Sequence, residues 1–181
     1  MNKHGIAYSF KAITLALFFA AALTSCNKEP DYIRTAKVSN LTSLQINEIY
    51  LLEKTGIQVF KQGLRFTFII PVDCFFVKDT RELKAHRAND MDLLSNFIRS
   101  YLRYFDHPTV TITGYTDTVL LSPARDKLSL HYANTIASYL QVDGVPDETL
   151  VIRGKGASDP IASNAYPMGS SFNRRVVIEI H

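Results

Sequence analysis

The stretch TVTITGYTD at residues 109–117 and the stretch SFNRRVVIEI at residues 171–180 decide the fold of this chain. In the first, threonine alternates with β-branched apolar residues up to Gly114, a pattern typical of a strand that ends in a turn. The second ends in residues 176–180, which are rich in valine and isoleucine and predict another strand. The chain is therefore expected to contain a sheet that includes both stretches.

A helix is predicted between these two strands. Ser122 and Pro123 are typical of a helix N-cap and first helical position, and Gly144 is typical of the residue that follows a helix. The helix is expected to run to about Gln141. Its core-facing residues are expected to be Leu128, Ile136 and Leu140.

A second helix is predicted after Thr80 and before residue 109. Its apolar residues recur at spacings of three and four, which is the period of one helix face. The apolar face is expected to comprise Met91, Leu94, Phe97, Ile98, Tyr101, Leu102 and Phe105. The opposite, polar side is expected to comprise Asp92, Ser95, Arg99 and Arg103.

The remaining patterns predict three more strands and fix the fold class. Residues 57–60 and 64–70 are separated by KQG at residues 61–63, which is typical of a hairpin turn. Residues 150–152 follow the helix that is expected to end at about Gln141. Residues 44–54 fit a short helix or a strand. The order β-β-α-β-α-β-β predicts an α/β fold, a two-layer sandwich in which a mixed sheet carries two main helices on one face.

The N-terminus predicts a secreted lipoprotein. Lys3 and Lys11 form a weakly basic start, and residues 13–23 form an apolar segment too short to cross a bilayer as a stable helix. The segment ends in LTSC, which resembles a bacterial lipoprotein signal in which Cys26 becomes the lipidated first residue. An ordinary secretory signal that contains a cysteine is the alternative. Asn27 favours the outer membrane by resemblance to the sorting rule for such lipoproteins, where several acyl chains would hold the protein.

These features divide the chain into three parts. A signal peptide occupies residues 1–25, the lipidated cysteine and a polar tether occupy residues 26–43, and one domain occupies residues 44–181, expected in the periplasm. Removal of the signal takes away two lysines and no acid, so the formal charge of +3 falls to about +1. This small charge gives no reason to expect nucleic acid as a partner.

No residue pattern predicts a catalytic or metal site. Ser129 lacks histidine and acidic partners in a suitable order, and metal-ligand spacing is absent among the histidines at positions 86, 107, 131 and 181. Once Cys26 is lipidated, Cys74 is most simply a buried small hydrophobe, with an intermolecular disulfide as the alternative. The chain is therefore expected to use no cofactor and not to be an enzyme.

The two strands, the helix between them and the polar residues beside them resemble the C-terminal peptidoglycan-binding domain of the OmpA/Pal family. The family pattern contains GHTD, LSxxRA, GxGxxxP and NRRV. This chain has GYTD at residues 114–117, LSLHYA at 128–133, GKGASDP at 154–160 and NRRV at 173–176. The resemblance covers about residues 57 to 180 and implies the same α/β sandwich.

The resemblance also implies a ligand site. In the family, the aspartate of GHTD and the arginine of LSxxRA hold the amino and carboxylate groups of diaminopimelate in peptidoglycan stem peptides, because a zwitterionic end needs one anion and one cation close together. The aspartate is Asp117 here, but the arginine position holds Tyr132, whose neutral hydroxyl does not replace a bidentate guanidinium. The alternative for Asp117 is a structural role in capping the turn into the next helix.

Four other residues are candidates for this site. Arg125 lies seven residues before the arginine position of the motif, on the same face if both share one helix, and would return a positive charge; a solvated surface arginine is the alternative. Asn173, Arg174 and Arg175 match the family's NRR. An arginine there either binds ligand or pairs structurally with an acid such as Asp117 or with loop carbonyls.

The overall plan, including IPVDCFF at residues 70–76, is similar to the small OmpA-like lipoproteins of Dot/Icm-type type IV secretion systems. This resemblance implies an assembly or scaffold component of an envelope-spanning secretion machine, with a degenerate peptidoglycan site and other outer-membrane core proteins as partners. The alternative is a working anchor that links the outer membrane to peptidoglycan stem peptides through diaminopimelate. Tyr132 is the residue on which the two functions differ.

Overall fold

The computed structural model describes residues 41–78, 80–118 and 123–181, with side chains from residue 127 onward in the last range. The predicted signal peptide, Cys26 and the tether up to residue 40 lie outside the described residues, as does Ser122. None of the helices in the described ranges has the length and apolar content needed to cross a membrane.

Five strands and five helices make up the described domain. The strands are β1 (Gln58–Gln62), β2 (Arg65–Pro71), β3 (Val110–Tyr115), β4 (Leu150–Gly154) and β5 (Arg175–Ile180). The helices are α1 (Ser43–Lys54), α2 (Val72–Phe75), α3 (Ala88–Leu102), α4 (Pro123–Val142) and α5 (Pro167–Asn173), with 3₁₀ turns at Ala85–Arg87 and Asp147–Thr149. The strand order is β1-β2-β5-β3-β4; β3 and β4 are parallel and the other pairs antiparallel. This confirms the predicted α/β sandwich with a mixed sheet.

One face of the sheet is apolar and packs against the helices. Alternate residues of β2 and β5 that lie opposite each other are buried: Phe66, Phe68, Ile70, Val176, Ile178 and Ile180. Phe97 of α3 meets this face, with its ring centroid 5.1 Å from Phe66 and 5.4 Å from Phe68 in edge-to-face geometry. The predicted apolar face of α3 is confirmed from Met91 to Leu102.

The predicted polar side of α3 is wrong at Ser95. This side chain is completely buried, and its hydroxyl donates a 2.8 Å hydrogen bond to the carbonyl of Met91 in the same helix. The bond satisfies the hydroxyl without water, so a small polar side chain fits inside the packed interface.

Residues 44–54, which fit a helix or a strand in the sequence, belong to helix α1. Thr42 and Gln45 form a capping box: the Gln45 N–H donates to Thr42 Oγ1 at 3.2 Å, and the Thr42 N–H donates to Gln45 Oε1 at 3.0 Å. Gln45 Nε2 also donates to Ser100 Oγ on α3 at 3.0 Å. Helix α1 therefore packs beside α3. It is a further helix, besides α3 and α4, which are the two main helices that were predicted.

Two glycines allow α4 to lie close to the sheet. A Cβ atom on Gly114 of β3 would lie 1.9 Å from the carbonyl oxygen of Ser129, and one on Gly154 of β4 would lie 2.7 Å from the backbone of Leu130. Only a residue without a side chain fits at either position. Helix α4 ends before Gly144, as predicted, where a φ of +87° suits glycine.

Candidate ligand-binding groove

Three chain segments meet at one end of the sheet. In the strand register, the last residue of β2 lies opposite the first residue of β5, which also lies opposite the last residue of β3. Asp73 and Asp117 each follow their strand by two residues, and Arg174 directly precedes β5. The register therefore brings two carboxylates and a guanidinium to the same edge.

A groove of about 770 Å³ opens at this edge. Its charged lining residues are Asp73, Lys78, Lys84, Asp117 and Arg174, with Asn164 and Ser170 beside them. Its apolar wall comprises Val72, Phe76, Val77, Tyr132, Ala165, Tyr166 and Pro167. The volume falls within the range of roughly 300–1,000 Å³ that is usual for ligand sites.

Arg174 holds both carboxylates of the groove. Its Nε donates to Oδ1 of Asp73 at 2.7 Å, its Nη2 donates to the other Asp73 oxygen, and its Nη1 donates to Oδ2 of Asp117. Ser171 donates a further hydrogen bond of 2.8 Å to Asp73. The side chain of Asp117 is 2% exposed, against 39% for Asp73 and 26% for Arg174. Asp117 is thus a buried carboxylate that forms an ion pair with Arg174. Structural pairing with Asp117 was one of the two alternatives that the sequence allowed for an arginine of the NRR motif.

The electrostatics of this cluster favour its charged form. Burial by itself raises the pKa of Asp73, but hydrogen bonds from Arg174 and Ser171, with the charges of Arg174 and Lys84, hold that pKa below its ordinary value. The hydrogen bond to Asp73 raises the pKa of Arg174 above its ordinary value, although burial opposes the rise. The groove therefore contains an ion network at neutral pH.

Tyr132 forms part of the apolar wall. It is 2% exposed, and its ring centroid lies 4.8 Å from that of Phe76. Such a pair packs two large apolar surfaces together at the position where the family places a guanidinium. Position 132 therefore contributes a buried aromatic ring to the groove wall.

Arg125 belongs to α4 together with Tyr132, as the sequence predicted. Its side chain lies outside the described part of the structure. A compensating role for Arg125 in the groove therefore stays a prediction.

Within the NRR motif, the structure brings Arg174 into the groove and directs the other two side chains to the neighbouring loop. The Oδ1 atom of Asn173 accepts hydrogen bonds from the consecutive backbone N–H groups of residues 161–162, at 2.8 and 3.0 Å. Arg175 is 5% exposed and donates to the carbonyl of Asp159 at 2.9 Å. Both residues therefore fix the loop between β4 and α5.

The loop at residues 154–160 contains a turn and contacts α4. Gly156 has a φ of +55°, a backbone conformation that glycine adopts without strain. Its N–H donates to the hydroxyl of Ser129 at 2.9 Å. Ser129 of the LSxxRA motif thus helps to hold this turn against the helix.

Sequence reasoning missed Asp73 and Lys84 as groove residues. The signal that identifies Asp73 is its position shortly after a strand: it follows the observed end of β2 by two residues, as Asp117 follows the end of β3. Lys84 donates from Nζ to the carbonyl of Asp73 at 2.8 Å, and no local sequence pattern marks it. The contact spans an irregular segment between α2 and the first 3₁₀ turn, where no periodicity predicts which side chains meet.

Across residues 41–78, 80–118 and 123–181, no group of three or more histidine, cysteine, aspartate or glutamate side chains is placed to hold a metal ion. Cys74, predicted to be buried, is only partly buried, and it packs against the apolar core. This residue is therefore more exposed than expected.

Sequence comparison identifies relatives in bacterial envelopes. A profile of the OmpA family matches residues 75–174. The outer-membrane lipoprotein YfiB of Pseudomonas aeruginosa is 28% identical over 93% of this chain and 92% of its own length. YiaD, a probable lipoprotein of Escherichia coli, is 29% identical over 76% of this chain, which spans 62% of the length of YiaD. The peptidoglycan-binding protein ArfA of Mycobacterium tuberculosis is 37% identical over 51% of this chain and 28% of its own length.

Solved structures share the fold. A MotB-like protein from Desulfovibrio vulgaris has a TM-score of 0.61 at 19% identity, covering 76% of this chain and 88% of that one. The cell wall anchor of the T6SS from Pseudomonas aeruginosa has a TM-score of 0.59 at 22% identity, covering 76% and 93%. At these identities the likeness shows the fold alone.

Proposed function

The chain belongs to the OmpA family, and from this premise we propose that it is an outer-membrane lipoprotein whose OmpA-like domain is an assembly module of an envelope-spanning secretion machine, with a degenerate peptidoglycan site. Among the relatives named above, YfiB is named an outer-membrane lipoprotein and ArfA a peptidoglycan-binding protein, and neither name describes an enzyme. The function is therefore one of attachment and assembly.

The pairing of Asp117 with Arg174 is the observation that carries this proposal. A ligand ammonium that used Asp117 would have to replace a guanidinium on a carboxylate that is 2% exposed. Separating a charge pair at such depth is costly, because each ion leaves a partner that is hard to replace. The anionic half of the site is already occupied from within the protein.

The apolar environment of Tyr132 supports the same conclusion. A ligand carboxylate placed there would meet a neutral side chain packed on Phe76. Burial of a carboxylate against such a surface lacks the compensation that a bidentate guanidinium provides. A domain with this site is better suited to scaffold contacts than to a grip on diaminopimelate.

The outer-membrane attachment is proposed from Cys26 and from the naming of YfiB as an outer-membrane lipoprotein. We expect Cys26→Ser to remove the protein from outer-membrane fractions, because acyl chains would supply the attachment. Immunoblotting of separated membranes measures this. Unchanged fractionation of the variant would contradict the lipid anchor.

The kind of machine is proposed from the short lipoprotein plan and from residues 70–76. Both are similar to the small OmpA-like lipoproteins of Dot/Icm type IV secretion systems, named DotK or IcmN. The expected partners are other outer-membrane core proteins of such a system. Affinity capture of the full-length protein from membranes tests this setting, and recovery of cell-wall fragments without core proteins would contradict it.

A second candidate function, a working peptidoglycan anchor, is favoured by one observation. Arg174 brings a guanidinium into the groove beside Asp117, so both signs of charge are present although Tyr132 is neutral. If the network opened, Arg174 would be placed to meet a carboxylate and Asp117 an ammonium.

Calorimetric titration with a diaminopimelate-containing stem peptide decides between the two functions. We expect the native protein to bind weakly or not at all. We expect Tyr132→Arg to raise the affinity about ten- to hundredfold, because a charge-assisted pair contributes roughly 1.5–3 kcal/mol. The gain should vanish when Tyr132→Arg is combined with Asp117→Ala.

Tyr104→Arg is the matched control, because it makes the same change at a 45% exposed tyrosine outside the groove. It should leave the titration unchanged, and thermal unfolding should verify that each variant folds. Tight binding by the native protein that is lost on Arg125→Ala would show a compensated site. That result would favour the anchor.

A further inference from the structure

We propose that the groove binds a short acidic peptide segment of a partner protein, with a side-chain carboxylate at Arg174 and Lys84 and an adjacent apolar side chain on Val77 and Tyr166. This inference rests on the proposed assembly function and names the chemistry of the partner. The groove lining, the charge arrangement and the side chains around α5 support it independently of any family pattern.

The groove lining contains two lysines that form no ion pair in the described part of the chain, Lys78 and Lys84. Lys84 is partly exposed and Lys78 is exposed. Asp117 is 2% exposed, and both oxygens of the more exposed Asp73 already accept hydrogen bonds from Arg174. Ammonium groups outside the ion pairs, beside carboxylates that are already hydrogen-bonded, favour a ligand carboxylate.

Arg174 has donors left for a ligand. It uses three of its five N–H groups on Asp73 and Asp117 in the described structure. The Nζ atom of Lys84 is held 2.8 Å from the carbonyl of Asp73, on the same side of the network. Among the described lining residues, three cations stand beside two carboxylates, which leaves positive charge for a ligand carboxylate.

The apolar wall identifies the second half of the ligand. Phe76 and Tyr132 form the buried base of this wall, and Val77 and Tyr166, which are 41% and 70% exposed, present its surface to a ligand. The side chain of a phenylalanine or leucine fits such a wall, whereas a stem peptide offers mainly methyl groups and a linear alkyl chain. A protein segment is therefore the occupant that matches both halves.

The surface around α5 has the composition of a protein interface. Tyr166, Met168 and Phe172 are 70%, 69% and 51% exposed, and they lie within seven residues of one another beside Arg174. Tyrosine, phenylalanine, methionine and arginine are the residues enriched at protein–protein contacts. Large apolar side chains left in solvent around one short helix indicate that a partner covers them.

The test uses fluorescence anisotropy with the full-length chain in detergent and a labelled peptide containing Glu-Phe-Glu. Two control peptides carry Gln-Phe-Gln and Glu-Ala-Glu, which remove the charge and the ring separately. We expect each control peptide to bind about tenfold more weakly than the probe. Binding of the probe should also weaken as salt is raised.

Three variants locate the binding. Lys84→Gln should weaken the probe about five- to tenfold, and Tyr166→Ser, at a 70% exposed position that folding does not need, about threefold. Lys61→Gln removes the same charge on β1, outside the groove lining, and should have no effect. Equal binding of the glutamine peptide, or no change in both groove variants, overturns the inference.

A stem-peptide arm separates this inference from the proposed function. If the native protein binds the diaminopimelate stem peptide more tightly than the probe, the assembly function fails and the inference fails with it. If it binds neither, the degenerate site stands and the acidic-peptide inference alone is overturned.

Discussion

The carboxylates of the groove and those of helix α1 are partnered in opposite ways. In the groove, Asp73 and Asp117 share the guanidinium of Arg174. On α1, Glu48 and Glu53 each leave one carboxylate oxygen buried with no hydrogen-bond partner in the described part of the chain. The groove thus contains a connected ion network, whereas α1 contains isolated acids.

The pKa values follow this difference. Burial raises the pKa of Glu48, and it raises the pKa of Glu53 to about 7. Burial also acts on Asp73, but hydrogen bonds from Arg174 and Ser171 overcome it and the pKa is lowered. Whether an acid has hydrogen-bonding and charged partners, rather than how deeply it is buried, decides whether it stabilises this fold. The acids that have such partners lie in the groove, where binding is expected.

The largest expected effect comes from removing the shared cation. Arg174→Ala leaves Asp117 buried without its guanidinium, so we expect the free energy of unfolding at pH 7 to fall by about 3–5 kcal/mol. Urea unfolding measures this, and adding Asp117→Asn should restore part of the loss. Arg153→Ala, at an exposed arginine of β4, should change stability by less than about 0.5 kcal/mol. A loss below about 1 kcal/mol for Arg174→Ala would show that the network does not hold the fold.

An intermediate effect is expected on α1. The pKa of Glu53 is raised in the folded state, so its ionisation destabilises the fold above pH 7, and the penalty disappears as pH falls toward the unfolded value of 4.5. Allowing for partial exposure, we expect Glu53→Gln to raise the stability by about 1–2 kcal/mol at pH 8 and very little at pH 5. Thermal unfolding at both pH values measures this. The exposed Glu82→Gln is the control, and a pH-independent gain would contradict the assignment.

The smallest effect is expected at the exposed end of the network. Because Asp73 is 39% exposed, we expect Asp73→Asn to cost only about 0.5 kcal/mol at pH 7. The pKa of Asp73 is lowered, so this contribution is present above the unfolded value of 3.8 and is lost as pH falls through the folded value. Wild type and variant should therefore converge in acid. A difference that persists at pH 2 would assign the effect to packing.

The sequence predicted the elements whose polarity pattern is regular and left open the one whose pattern is not. Threonine alternates with apolar residues in β3, β5 is rich in valine and isoleucine, and α3 has one apolar face. Helix α1 exposes Leu44 and Leu51 at 65% and 40% while it buries Gln45 and Glu48. Because polar and apolar residues lie on both its buried and its exposed side, periodicity alone does not distinguish it from a strand.

The sequence predicted residues of the candidate site only where they lie in a family motif. Asp117 and Arg174 lie in stretches that match a family pattern, and their roles as pairing partners were among the alternatives. Asp73 is 101 residues from Arg174, and only the register of β2 against β5 brings them together. The orientation of Tyr132 toward Phe76 also depends on tertiary packing, which spacing within one helix does not reveal.

The central position of β5 has a consequence for the timing of folding. This strand joins the β1–β2 pair to the β3–β4 pair, although all four precede it in the chain. The sheet therefore cannot close until residue 180 has emerged, and long-range pairing of this kind is slow. For a chain exported from its N-terminus, as residues 1–25 predict, the two half-sheets stay apart and accessible to chaperones and proteases until the last strand arrives. A chain that ends before β5 therefore keeps the edges of both half-sheets unpaired, and we expect it to be degraded before it is assembled into the envelope.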